Sequence, residues 1–196
     1  GAATCYIELA NGQMDLNCHR GFPTPWAAFC HFTKLEQIFP QSEVFSRYYQ
    51  GWKSLNETHE IDSGEGSFLL VRRDAAEAVR VPSSGQGWWD EDFFFYGEDL
   101  DFCYRLKKAG WKVFYHPEVK IVHYAGAASG MKESSKEITT ATRESKARAL
   151  KASTKAMKIF YQKHYAQKYP GPLTWLVLSG IFFLSQLRLL SHRLRS

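Results

Sequence analysis

Two groups of acidic residues sit close together near the middle of the chain. Asp90-Glu91-Asp92 is the first, and Glu98-Asp99 with Asp101 is the second, set off by Gly97 from the rings before it. A carboxylate at a helix N-terminus is stabilised as the anion by the N–H groups left unpaired there, while an acidic neighbour pushes its pKa the other way. That combination suits a general base taking a proton from a hydroxyl. Acids in a first helical turn are also ordinary caps, so spacing alone leaves both readings open. His123 ends the apolar run Val119-Lys-Ile-Val-His123 ahead of a Gly/Ala/Ser loop. An imidazole at a strand end fits a divalent-metal ligand, or simply a hydrogen-bonded structural residue. Gly64 and Gly66 would let a ligand approach the backbone, but Gly-x-Gly without a following helix is too short for a dinucleotide fingerprint.

The elements expected to position these residues follow from periodicity and breakers. Residues 5–9 read as a strand, Asn11-Gly12 as a two-residue turn, and residues 13–18 as the returning strand. Residues 27–39 carry Phe29, Phe32, Leu35, Ile38 and Phe39 at helical spacing, and Pro40 ends that helix. Residues 41–62 have no period and read as a loop, residues 67–71 as a buried strand, and residues 74–79 as a short helix. Pro82-Ser-Ser-Gly-Gln-Gly87 is a loop by composition. A helix over residues 99–109, acidic at its start and basic at its end, has Gly110 as its left-handed stop. Residues 111–115 and 119–123 read as two strands broken at His116-Pro117. Ser134-Ser-Lys-Glu137 matches a capping box, predicting a long basic helix to about Tyr165, and Pro170-Gly-Pro172 ends it.

Charge divides along the chain. Residues 1–130 hold 12 Lys/Arg against 17 Asp/Glu, whereas residues 131–196 hold 13 against three. A basic tail on an acidic body points to an anionic partner. Because its basic residues lead into the apolar run 173–190, membrane lipid is the expected partner and nucleic acid is not. The run 173–187 is shorter than the roughly 20 apolar residues a spanning helix needs, so the segment is expected to lie in the interface. The four cysteines show no metal or disulfide spacing, and the chain opens Gly1-Ala2-Ala3 with no signal-peptide pattern.

Several stretches together resemble a known family. Gly66-Ser-Phe-Leu-Leu-Val-Arg-Arg73, Trp89-Asp-Glu-Asp-Phe-Phe-Phe-Tyr-Gly-Glu-Asp-Leu-Asp-Phe-Cys-Tyr-Arg105, Lys108-Ala-Gly-Trp-Lys-Val-Phe-Tyr-His-Pro117 and Ile121-Val-His123 resemble inverting family-2 glycosyltransferases, in the rhamnosyltransferase-like branch. Asn11-Gly12 and Phe22-Pro-Thr-Pro-Trp26 share that likeness, which covers residues 1–165. The resemblance implies an α/β fold, part of a Rossmann-like GT-A domain. It implies that Asp99, paired with Glu98, is the catalytic base that deprotonates the acceptor hydroxyl. Gly66, Ser67, Trp88, Trp89 and Tyr96 would border the acceptor pocket, and His123 would join the Mg²⁺ or Mn²⁺ that holds the donor diphosphate.

One departure bears on activity. The family's donor-binding strand and its Asp-x-Asp motif precede the matched stretches, and Asp90-Glu-Asp92 and Asp99-Leu-Asp101 share the spelling on the acceptor side. Residues 1–130 are therefore expected to form the acceptor and base half, 131–169 a basic helical extension, and 170–196 a membrane-associating segment. The cation is expected only with a donor half, and the chain alone is expected to be inactive. The expected function is transfer of a sugar, rhamnose among the candidates, from a nucleotide-sugar to a glycan or polyprenyl-linked acceptor at the cytoplasmic face of a membrane. The alternative is a degenerate, non-catalytic module that binds glycan or scaffolds a membrane complex.

Overall fold

A computed structural model describes residues 1–81, 87–127, 129–130, 137 and 139–194. The expected loop at residues 82–86 and the Ser134 end of the expected capping box lie outside them. The described residues form two compact units, residues 1–91 with 98–123 and residues 92–97 with 124–196.

The first unit is built on a four-stranded sheet. Strands β1 (Ala2–Leu9), β2 (His59–Ile61), β3 (Leu70–Val71) and β4 (Val113–His123) lie in the order β2-β4-β1-β3. β1 and β4 are parallel, from Ala2 opposite Val113 to Leu9 opposite His123, and the two short strands are antiparallel at the edges. Parallel partners require a long crossover, and that connection carries helices α1 (Pro25–Phe32), α2 (Leu35–Ile38), α3 (Arg73–Ala78) and α4 (Glu98–Lys108). Ile7, Ile61, Phe102, Leu106, Val113 and Tyr115 are fully buried between sheet and helices. All four cysteines are free and buried, Cys5, Cys18 and Cys103 within this core, as small apolar side chains.

α4 obeys its sequence. Glu98, Asp99 and Asp101 occupy its first turn and Arg105, Lys107 and Lys108 its last. Gly110 takes φ +85, and the Trp111 N–H closes onto the Leu106 carbonyl at 3.0 Å, satisfying a helix-end acceptor that a Cβ-bearing residue would serve at a steric cost. The strands differ from expectation. His116-Pro117 does not split β4; the register against β1 skips from His116 to Lys120 between Cys5 and Tyr6. Pro117 has no N–H for the ladder, and the sheet absorbs it as a bulge.

Three local readings are corrected. After the Asn11-Gly12 turn, where Gly12 has φ +79, the chain returns only through a bridge between Glu8 and Met14 and then forms a 3-10 turn over Leu16–Cys18. β1 is instead paired on both sides by β4 and β3, which offer longer-range partners. The expected helix 27–39 breaks at Thr33-Lys34, where Lys34 takes φ 63, and Phe29, Phe32, Ile38 and Phe39 face solvent. Residues 67–71 give only the two-residue β3, with Leu70 exposed, while β2 arises inside the expected loop 41–62.

His19 is fully buried, with Nδ1 2.9 Å from the Tyr49 carbonyl and Nε2 2.6 Å from Nε2 of His59. Burial pushes its pKa down to about 4. Between about pH 6.5 and 4, an unfolded His19 binds a proton that the folded ring refuses, so stability present above 6.5 is lost as pH falls. Urea unfolding should show up to about 3 kcal/mol less stability at the acid end of this window. His19→Asn, which retains a donor towards Tyr49, should flatten that slope; an unchanged slope would assign the acid sensitivity elsewhere.

The second unit contains α5 (Arg143–His164) and α6 (Gly171–Leu194). α5 starts at Arg143, where Thr142 caps the Ser145 N–H at 3.1 Å. Phe160 and Tyr161 are buried, and Lys163 pairs with Asp92 at 2.6 Å and lies over the Phe93 ring. The helices run antiparallel: Tyr161 Oη meets Thr174 Oγ1 at 3.1 Å, and His192 Nε2 faces the Arg143 carbonyl at 3.3 Å. Residues Gly171–His192 form a 22-residue helix long and apolar enough to cross a membrane, with none of that stretch buried, which corrects the expectation from residues 173–187 that the segment is too short to span.

Candidate functional site

The carboxylate of Asp99, in the first turn of α4, is buried and held on both oxygens. Oδ2 accepts from an Arg20 guanidinium nitrogen at 2.9 Å and from the Gly66 N–H at 3.0 Å, while Oδ1 accepts from the Leu100 N–H at 2.7 Å. The same Arg20 nitrogen also donates to the Gly64 carbonyl at 2.9 Å. Burial opposes the Arg20 charge, but the acidic groups around it, Asp99 first and then Tyr48 and Glu65, outweigh it and hold the guanidinium's pKa above its ordinary value. Asp99 is thus kept oriented at the positive end of α4.

Its neighbour Glu98 behaves differently. Its Oε2 is buried without a hydrogen-bond partner, and burial, with the Asp99 charge beside it, raises its pKa. Two adjacent carboxyls whose environments differ in this way are the usual arrangement where one works as the anion. Asp101, the third acid of the group, has a structural role. Its Oδ2 binds Arg105 at 2.8 Å, and Arg105 also donates to the carbonyls of Val79 and Trp88.

Gly64-Glu65-Gly66 connects this carboxylate to a second group. Gly64 packs so closely that a Cβ would lie 3.0 Å from the Thr4 Cβ, which leaves the segment little freedom. Between the two glycines, Glu65 carries its carboxylate to His123, with Oε2 4.0 Å from Nδ1 and both atoms buried. Asp15 completes the group, the ligand-grade atoms of the three lying within 4.8 Å of one another. Asp15 is placed by the reversal after β1, where its N–H donates to the Ile7 carbonyl at 2.8 Å. His123 ends β4. All three therefore gather beyond the carboxyl ends of the parallel strands, where open α/β sheets bind ligands. Two carboxylates and an imidazole are a donor set suited to Mg²⁺ or Mn²⁺.

The expected site residues divide by position. Gly66 touches Asp99, and Ser67 beside it is exposed. Trp89 is partly exposed, its ring 4.9 Å from that of Phe102 on α4. Trp88 packs on the core and points its indole N–H at Glu77, 3.4 Å away, on the α3 side. Tyr96 belongs to the second unit and holds φ 70, a left-handed conformation that a ring-bearing residue adopts at a cost. Sequence reasoning passed over Arg20, Asp15 and Glu65. Glu65 carried a signal in its flanking glycines; Arg20 and Asp15 carried none.

Comparison with known proteins gives the chain its family. The family model for glycosyl transferase family group 2 matches residues 42–192. An N-acetylglucosaminyl-diphospho-decaprenol L-rhamnosyltransferase of Mycobacterium tuberculosis is 31% identical over 131 residues, 67% of this chain and 36% of that protein. The rhamnosyltransferase WbbL of Escherichia coli is 42% identical over 65 residues, 33% of this chain and 22% of its own length. The chain thus spans about a third of the length of the mycobacterial relative. No solved structure matches. The chain belongs to glycosyl transferase family group 2 and is similar to its rhamnosyltransferase-like members.

Proposed function

We propose that this chain supplies the acceptor-side and catalytic-base part of an inverting glycosyltransferase that moves a sugar, rhamnose by likeness to its relatives, onto a lipid-linked or glycan acceptor. The observation that carries this reading is the segment Gly64-Glu65-Gly66. It binds the Asp99 carboxylate through Gly66 and carries Glu65 to the Asp15/His123 group, so one turn joins the carboxylate read as proton acceptor to the group read as cation site.

In this reading Asp99 takes the proton from the acceptor hydroxyl as that oxygen attacks the anomeric carbon. Arg20 and the Gly66 N–H fix the orientation of the carboxylate, and Gly66, Ser67 and Trp89 border the acceptor. Asp15, Glu65 and His123 would hold a divalent cation, whose contribution when bound is to offset the charge of the donor diphosphate as it leaves. Residues 1–130 then form the acceptor and base half, residues 131–169 the basic extension, and residues 170–196 the membrane-associating segment. That segment lies in the interface on the cytoplasmic side. α5 accompanies α6 from Arg143 to Tyr161, and its lysines could not follow α6 through hydrocarbon.

The cation site can be tested without turnover. Mn²⁺ titrated into an enzyme that carries this sequence together with a donor half, and followed by water-proton relaxation, should bind at least about tenfold more weakly to the His123→Ala and Glu65→Gln variants. Unchanged binding in both variants would remove this group from the cation's coordination. In an active enzyme carrying this sequence, labelled nucleotide-sugar should pass to a polyprenyl-linked acceptor in a chelator-sensitive reaction, and retention of the anomeric configuration would defeat the inverting reading.

A further inference from the structure

The first unit carries an apolar surface that its own core does not use. Trp26, Phe29, Phe32, Ile38, Phe39 and Val44 are all exposed large apolar side chains from α1, α2 and the turn after them. Ring contacts join Trp26, Phe29 and Phe39 through Phe45. Trp26 stacks on Phe29 with centroids 5.6 Å apart, and Phe45 joins Trp26 at 6.0 Å to Phe39 at 5.0 Å. Soluble surfaces rarely group so many rings unless something covers them.

We propose that this face inserts into the headgroup layer of an anionic bilayer, as a second membrane contact in addition to α6. The proposal rests on the reading of α6 as membrane-associating, because a chain tethered by α6 meets the same bilayer at high effective concentration. The charges favour lipid. Glu36, the one acid on the two helices, is turned inward and bound to His31 Nδ1 at 2.6 Å. Lys34 stands exposed at the break between the helices, and Arg47 is exposed beyond them, with Glu43 the exposed acid on the intervening turn. The helix pair thus shows rings with a cation among them and no exposed carboxylate of its own, a pattern that matches acyl chains beneath anionic headgroups. The Trp26 indole N–H already donates to the Val44 carbonyl at 3.0 Å, so burying that ring strands no donor. Pro23, Pro25 and Pro40 stiffen the approach to each end of the pair.

The test uses the whole chain. Its four cysteines are buried, so a nitroxide label added to Phe29→Cys, Phe39→Cys or, as a control, Asn56→Cys goes to the new site. With vesicles of phosphatidylcholine and phosphatidylglycerol, labels at 29 and 39 should be open to oxygen and shielded from a water-soluble nickel chelate, while the label at 56 stays in water. The Phe29→Ser/Phe39→Ser double variant should partition into these vesicles about tenfold or more weakly. A chain that floats with the vesicles while all three labels remain in water would overturn the patch and leave α6 as the sole anchor. A chain that does not float would overturn the α6 reading and this one with it. Labels shielded and immobilised without vesicles would assign the face to a protein partner or a second copy, and so also overturn the proposal.

Discussion

Asp99→Asn, made in an active enzyme carrying this sequence, is expected to lower kcat by about 10²- to 10⁴-fold, the usual worth of a positioned general base. Asn has the shape of Asp, and its amide oxygen can still accept from Gly66 and Arg20, which bind Oδ2 at 3.0 and 2.9 Å. Nucleotide-sugar affinity should therefore change little while the proton loses its acceptor, and the buried Arg20 charge left without its partner should lower stability, so the variant is assayed where it is still folded. Single-turnover rates at saturating acceptor separate the two effects. Glu98→Gln is the matched control, because Glu98 lies beside Asp99 with its pKa raised by burial and by the Asp99 charge. A near-normal rate in Asp99→Asn would remove the base role and favour a non-catalytic module. A collapse only in Glu98→Gln would transfer the role to Glu98.

Removal of Arg20 is expected to have the largest effect on folding. Its guanidinium and the Asp99 carboxylate are each about nine-tenths buried, at 2.9 Å, and the same group serves the Gly64 carbonyl. Breaking such a pair leaves one charge in a poor solvent, which costs about 3–5 kcal/mol, far more than the pair contributes over an apolar substitute. Urea unfolding of Arg20→Met should give an unfolding free energy lower by that amount, read as a lower midpoint at unchanged slope. Combining it with Asp99→Asn should recover part of the loss, since the stranded charge is then gone. Simple additivity of the two variants would show that the pair is not coupled. Arg20→Lys should fall between, because one ammonium cannot match the fork that spans Asp99 and Gly64.

The two effects meet at the same atoms, and the clustered acids are held in different ways. Asp99 is oriented by Arg20 and Gly66, Asp101 is used up by Arg105, and Asp92 is paired with Lys163 in the second unit. Only Asp99 combines a helix N-terminus with a direct tie to the glycine turn that carries Glu65.

Much of this was legible in the sequence where the signal is local. The boundaries of α4, its acidic start, its basic end and the Gly110 stop all follow from groups within one or two turns of each other. Asp99 and His123 could be singled out because each sits at the end of an element the sequence already marks. The tertiary structure alone decided what requires distant segments. Arg20 reaches Asp99 across 79 residues, and Asp15, Glu65 and His123 come from three separate segments of the chain. The return of residues 13–18 as a strand failed for the same reason. A hairpin signal describes two neighbouring segments, and β1 found better partners in β4 and β3, far along the chain. The rings of residues 27–39 have helical spacing, but spacing reports only which residues share a face. Whether that face meets a core or the solvent depends on what the rest of the chain packs against, and here Lys34 breaks the helix and leaves the rings outward.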